Sequence, residues 1–107
     1  MDPECRKISK EILPAVRASI AQTMFSEHNY CQREIGDKLG VVQVSVSKYI
    51  NKKYSKEIGE IVGYIESNRL NRKIVQSIIS GEPKEEIVSE IDKLCSEIIG
   101  SSYYKEL

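Results

Sequence analysis

One segment decides the fold of this chain: QREIGDKLGVVQVSVSKYIN, residues 32–51. Ile35 and Leu39 are four residues apart, so they share one face of a short helix. Val46 and Tyr49 are three residues apart and share one face of a second short helix. Both pairs are buried together only if the two helices cross at a sharp angle. The segment therefore predicts two short, crossed helices.

Two glycines support a tight connection between these helices. Gly40 suits the turn, because glycine adopts a positive φ at low cost. Gly36 is expected where the second helix presses against the first, which requires a small side chain. We predict helices over residues 32–39 and 43–51, joined as a helix-turn-helix.

The rest of the chain also predicts helices, giving an all-α fold of five to six helices. No segment shows sustained alternation of apolar and polar residues. We expect a first long helix over residues 14–27 and a fourth helix capped by Ser55. The largely polar residues 68–71 predict a break, and the last helix is expected from Pro83 to Gly100.

The two halves of the chain differ in charge. The net charge is zero, but residues 1–55 carry nine basic and six acidic side chains, whereas residues 56–107 carry seven and ten. Residues 43–56 contain four lysines and no acidic residue. Phosphate binding needs such a local concentration of positive charge. We therefore take residues 1–55 as a DNA-binding region, and residues 56–107 as a helical region that packs on it or dimerises.

Apolar stripes after residue 56 predict a homodimer. They comprise Ile58, Ile61, Val62, Ile65, Leu70, Ile74, Val75, Ile78, Ile79, Ile87, Ile91, Leu94 and Ile98. This apolar surface exceeds what one short helix-turn-helix needs, and we assign the surplus to a dimer interface. A dimer would bind a two-fold DNA site, which offsets the few base pairs that one short helix reads.

Four side chains face outward on the first turns of the second short helix: Gln43, Val44, Ser47 and Lys48. These turns of a helix-turn-helix enter the major groove of DNA. Gln43 can pair with the N6 and N7 atoms of adenine, and Lys48 can donate to guanine O6 or N7. Val44 can contact the methyl group of thymine. We predict that these four residues read bases.

A second set of residues is predicted to contact phosphates. Gln32 begins the first short helix, where backbone N–H groups also point outward toward an anion. The other members are Arg33, Ser45, Lys52 and Lys53. Double-stranded DNA is therefore the predicted partner.

The pattern QxEIGxxLGVxQxxVSxYI, residues 32–50, resembles the helix-turn-helix of lambda-repressor-like (Xre-type) regulators. Two further segments, LPAVRA at residues 13–18 and ISGE at residues 79–82, resemble the DNA-binding domain of archaeal thiamine-responsive transcription regulators. The resemblance implies base contacts from the four residues named above. It departs from the family at Gly36, where alanine is usual, and at Val42, where a small polar residue is common. Vitamin sensing is not carried over, because residues 1–107 hold no counterpart of the family's thiamine-phosphate-synthase-like domain.

No catalytic or metal-binding pattern is evident. No arrangement of serine, histidine and aspartate, or of cysteine and histidine, predicts catalysis, and His28 is expected to end a helix. Cys5, Cys31 and Cys95 lack the close spacing of zinc ligands. We expect the cysteines to be small core residues, and we predict no enzyme activity, no metal and no cofactor.

The expected location is the cytoplasm. The N-terminus has no apolar segment of a signal peptide, and no apolar run approaches the roughly 18 residues that span a bilayer. An odd number of widely spaced cysteines fits a reducing compartment.

Two functions follow from these patterns. The first is a sequence-specific DNA-binding transcriptional regulator. The alternative is a protein-interaction module, similar to an antitoxin or adaptor, whose acidic C-terminal helices bind a protein partner.

Overall fold

The structure, a computed structural model, describes residues 6–101, and that range contains helices and no β-strand. A π-helical segment, Ile8–Ile12, leads directly into six α-helices. They are α1 Leu13–His28, α2 Gln32–Leu39, α3 Gln43–Ile50, α4 Lys56–Ser67, α5 Arg72–Ile79 and α6 Lys84–Ile99. The prediction of an all-α chain is confirmed for this range. Cys5 lies outside the described residues.

Helix α1 is the central helix and contacts each of the other five. The spacing of Val16, Ile20 and Met24 predicts one buried face, but α1 is buried on several faces. Its buried side chains are Ala15, Val16, Ala18, Ser19, Ile20, Ala21 and Met24. Alanines on the additional faces let neighbouring helices approach closely, and a helix that is buried on several sides lacks a single apolar stripe.

The two halves of the chain share one hydrophobic core, which includes residues from α1 to α6. Most of the apolar stripe after residue 56 belongs to this core, so its members contact the same chain. Among residues 56–101, the large apolar side chains left exposed are Ile79 (38%) and Val88 (40%). The apolar surplus from which we predicted a dimer interface is therefore largely used within the monomer.

The ends of several helices follow the local sequence. Ser55 caps α4, because its Oγ accepts a hydrogen bond of 3.2 Å from the Ile58 N–H, as predicted. Gly40 ends α2 with φ 72°, and its N–H donates to the Gly36 carbonyl at 2.8 Å. This is the left-handed helix end that glycine favours.

Three non-glycine residues also adopt a left-handed conformation at helix ends. Asn29, Lys52 and Arg69 have φ values of 58°, 56° and 54°. Asparagine tolerates this region, but lysine and arginine do so at a cost. Helix propensity alone does not predict these two basic residues in such positions.

The predicted break at residues 68–71 separates α4 from α5. Asn71 is only 4% exposed there. Its Nδ2 donates to the Thr23 Oγ1 of α1 at 3.3 Å. The polar residues that interrupt the helix thus also attach the junction to the central helix.

Candidate nucleic-acid interface

Helices α2 and α3 are joined by residues 40–42 and pack closely. Ile35, Leu39 and Val46 are at most 2% exposed, as the spacing predicts, whereas Tyr49 is half-buried and packs against the core. Gly36 is buried between them. A Cβ atom at Gly36 would lie 2.8 Å from the Val41 carbonyl oxygen and 3.6 Å from Val46 Cγ2. The predicted close approach is present, but the nearest atom belongs to the connecting turn and not to α3.

The exposed face of α3 carries the predicted base-reading residues. Gln43, Val44 and Lys48 are exposed, and Ser47 is half-buried. Val44 is 66% exposed and Val42, just before the helix, is 68% exposed. Both valines expose apolar surface, so a partner that covers them would gain apolar burial. The four residues lie together at positions i, i+1, i+4 and i+5 of one helix.

The predicted phosphate-binding residues fall at the start of α2, at the start of α3 and in the loop after α3. Gln32 and Arg33 occupy the first turn of α2, where Gln32 is half-buried and Arg33 is exposed. Ser45 is half-buried on the first turn of α3. Lys52 and Lys53 are exposed in the loop that follows α3.

The loop after α3 is held by Gln22 of the central helix. Gln22 Nε2 donates to the Tyr49 carbonyl at 2.9 Å and to the Tyr54 hydroxyl at 2.8 Å. The two contacts join the end of α3 to the far end of the loop that carries Lys52 and Lys53. Sequence reasoning missed Gln22, although a long polar residue within the apolar α1 is a signal that such a partner exists.

Further hydrogen bonds hold the same loop locally. The Lys53 N–H donates to the Lys48 carbonyl at 2.8 Å. Asn51 Nδ2 donates to the Ser47 carbonyl at 2.9 Å. The two lysines therefore extend from a backbone that is fixed at several points.

Cys31 and Glu34 cap the start of α2. The Cys31 N–H donates to Glu34 Oε1 at 3.0 Å. This bond, then the Cys31 side chain, lowers the pKa of the exposed Glu34 carboxyl. Because the pKa of Glu34 is lower in the folded chain than in the unfolded chain, the ionised carboxylate stabilises the fold at pH values above the unfolded pKa. This stabilisation is lost as the pH falls through the folded pKa.

The prediction that the cysteines are core residues holds for Cys95 and is wrong for Cys31. Cys31 is exposed because it precedes α2 in an extended conformation at the helix start. Cys95 is 1% exposed. Burial and then the negative charge of Asp92 raise its pKa to about 11, while Arg17 opposes the shift.

We expect the two thiols to differ in reactivity, because the thiolate is the reactive form. In a Cys5→Ser background, Ellman's reagent at pH 7.5 should modify one thiol in the folded protein and a second after unfolding. Adding Cys31→Ser should abolish the modification of the folded protein, and adding Cys95→Ser should leave that modification unchanged. Two equally fast thiols in the folded chain would contradict the burial of Cys95.

Within residues 6–101, no group of three or more His, Cys, Asp or Glu side chains is arranged to hold a metal ion. In the same range, no helix has both the length and the apolar character needed to cross a membrane.

The candidate interface is thus one helix, α3, with polar and apolar groups on its outer face, followed by an anchored loop with two lysines. The resemblance to lambda-repressor-like regulators stays a prediction carried by residues 32–50. Comparison with models of protein families, with curated proteins and with solved structures gives no match for this chain.

Proposed function

We propose that the chain is a sequence-specific DNA-binding transcriptional regulator and that α3 enters the major groove. The observation that carries the proposal is the division of α3 into two faces. Val46 is fully buried, whereas Gln43, Val44 and Lys48 are exposed. A helix of this kind presents hydrogen-bonding and apolar groups to base edges without disturbing the core.

The exposed groups match distinct features of base pairs. The Gln43 amide suits the paired donor and acceptor of adenine, and Lys48 suits the acceptors of guanine. Val44 offers methyl groups to a thymine methyl, and Ser47 can pair with several bases. These four residues supply the specificity in our proposal.

The predicted phosphate-binding residues would fix the position of α2 and α3 on the duplex. Lys52 and Lys53 neutralise phosphates beyond the end of α3. Gln32, Arg33 and Ser45 contact phosphates near the helix starts, where backbone N–H groups are also available. Phosphate contacts of this kind set register and orientation, and base contacts set the sequence.

A homodimer on a two-fold site is part of the proposal, with the contact placed in the C-terminal region. The exposed apolar groups that remain there include Ile79 of α5 and Val88 of α6. A stable dimer buries about 800 Å² on each partner. Because two such side chains supply only a fraction of that area, we expect the copies to associate on DNA, where two half-sites hold them together.

Selection of bound sequences from random double-stranded DNA tests this function. We expect enrichment of a short two-fold motif, bound by two chains, with an affinity that falls steeply with salt. Sedimentation of the free and DNA-bound protein gives the stoichiometry. Absence of both enrichment and salt-sensitive binding would overturn the proposal. A single stoichiometric protein partner in a pull-down would then favour the interaction module.

Lys52 offers a prediction in which stability and affinity change in opposite directions. Its left-handed backbone is unfavourable for a side chain with a Cβ, so Lys52→Gly should stabilise the fold by about 0.5–1 kcal/mol. The same variant loses one phosphate contact, and the slope of log K against log salt should fall by about 0.9. Urea unfolding and DNA titrations at several salt concentrations measure the two effects.

Arg69→Gly is the matched control for Lys52→Gly. Arg69 has nearly the same φ but lies at the junction of α4 and α5, outside the proposed DNA surface. We expect a similar gain in stability and an unchanged salt slope. If Lys52→Gly and the parent chain have equal slopes of log K against log salt, Lys52 does not contact a phosphate.

A further inference from the structure

A groove of about 830 Å³ lies beside the loop that follows α3. It is formed by the C-terminal end of α1, the end of α3 and the junction of α4 with α5. None of the residues predicted to read bases lines it. Its volume falls within the range of about 300–1,000 Å³ that is usual for small-molecule sites.

One part of the groove is apolar. Phe25 lines it and is 43% exposed, although the ring is the single phenylalanine of the chain. Ile50 and Val75 line it as well. An exposed aromatic ring in a groove that aliphatic side chains also line provides a surface on which another planar ring can stack.

Another part of the groove is cationic. Lys52, Arg69 and Arg72 line it, from the loop after α3 and from the junction of α4 with α5. Guanidinium groups bind carboxylates and phosphates with paired hydrogen bonds. We propose that this groove binds a small molecule that carries both an aromatic ring and an anionic group.

The carboxylates of the groove favour a small ligand over the backbone of a nucleic acid. Glu27 and Glu66 line the same groove. A polyanion that followed the groove would meet both carboxylates at close range, and like charges repel. A small ligand can direct its single anionic group toward the arginines and offer hydrogen-bond donors to the carboxylates.

The groove is connected to the proposed DNA surface through two residues. Lys52 lines the groove and is also a proposed phosphate contact. Gln22 lines it and holds both ends of the loop that carries Lys52. A bound ligand would draw Lys52 away from DNA and weaken DNA binding. This consequence rests on the proposed function, whereas ligand binding itself does not.

Binding of 1-naphthyl phosphate and 1-naphthoate to the full chain, followed by NMR and naphthyl fluorescence, tests the proposal. We expect saturable binding of one molecule per chain, with shifts centred on Phe25, and much weaker binding of neutral 1-naphthol. Arg69→Asn and Arg72→Gln should each weaken binding of the anions about tenfold. Phe25→Ala should weaken it by a few-fold up to about tenfold. Asparagine is chosen at Arg69 because it tolerates the left-handed backbone.

Lys93→Ala controls for loss of a positive charge elsewhere on the surface. It should bind the probes as the parent chain does, and thermal melting should show all variants folded. Absence of saturable binding, or binding that the groove variants leave unchanged, would overturn the proposal. If the arginine variants weaken DNA binding and not probe binding, the groove is a phosphate contact and the proposal is wrong. If the chain binds the probes but not DNA, the proposed ligand groove is supported and the proposed function is overturned.

Discussion

The double replacement Gln43→Ala and Lys48→Ala is expected to abolish the preference of the chain for its selected DNA site while the fold stays intact. Both side chains are exposed on α3. Their removal leaves no cavity and no buried polar group without a partner. We therefore expect the double variant to lose only contacts with base edges.

The expected size follows from the two contacts. One good bidentate pair discriminates by about 1–3 kcal/mol, and 1.4 kcal/mol corresponds to a factor of ten. The variant should therefore lose about 30-fold or more in the ratio of affinities for selected and scrambled DNA. Non-specific affinity should fall only slightly, because the variant retains the proposed phosphate contacts of Lys52 and Lys53. Titrations of both DNAs at one salt concentration measure the ratio.

Lys73→Ala and Gln76→Ala, combined, form the matched control. They remove the same two residue types from exposed positions of another helix, α5. The control should keep the full preference for the selected site. An unchanged ratio in the α3 variant would show that α3 does not read the bases, even if the chain binds DNA.

The sequence predicts the central part of the fold well, because its signals there are local. The C-terminal end of α2 follows from Gly40, whose positive φ ends the helix. The start of α4 follows from Ser55, whose hydroxyl oxygen accepts from Ile58 N–H. In each case a residue at the helix end supplies the physical cause, so the helix end can be predicted from the sequence alone.

Features that depend on contacts between distant segments are not predicted. The two hydrogen bonds from Gln22 reach residues 27 and 32 positions away. The burial of α1 on several faces also depends on how the later helices surround it. Sequence periodicity reports which residues are apolar but not which copy of the chain buries them. For this reason, the stripes after residue 56 suggested a dimer interface although one chain buries most of them.

The exposure of the predicted base-reading residues follows from the sequence, whereas the contacts that hold the neighbouring loop do not. The spacing in α3 places Gln43 and Lys48 outward, which the structure agrees with. The left-handed backbone of Lys52 gave no signal, because lysine is not a residue type that favours it. The loop is held in that conformation by long-range and local hydrogen bonds together.

Gly36→Ala is expected to destabilise the fold, although alanine normally stabilises a helix. A new Cβ would lie 2.8 Å from the Val41 carbonyl oxygen, which is too close for unstrained contact. Val41 cannot retreat freely, because its own N–H donates to the Gly36 carbonyl at 3.0 Å. Overpacking of a well-packed site costs about 1–3 kcal/mol, which exceeds the gain of about 1 kcal/mol in helix propensity.

Gly63→Ala is the matched control for this substitution. Gly63 lies within α4, and apart from its chain neighbours and the surrounding helix backbone no atom of the described residues is within 4 Å of the position that its Cβ would take. The same change should stabilise the fold there by about 0.8–1 kcal/mol. The two variants should therefore shift the free energy of unfolding in opposite directions, as measured by urea denaturation.

A larger side chain makes the test at Gly36 stricter. Gly36→Val adds two methyl groups that would meet the turn and Val46 Cγ2, now 3.6 Å from the Cβ position. It should destabilise more than Gly36→Ala, and α3 would have to move away from α2. A Gly36→Ala variant as stable as Gly63→Ala would show that the turn relaxes at little cost. In that case the alanine usual at this position in lambda-repressor-like regulators would fit here as well, and the close approach would not explain the glycine.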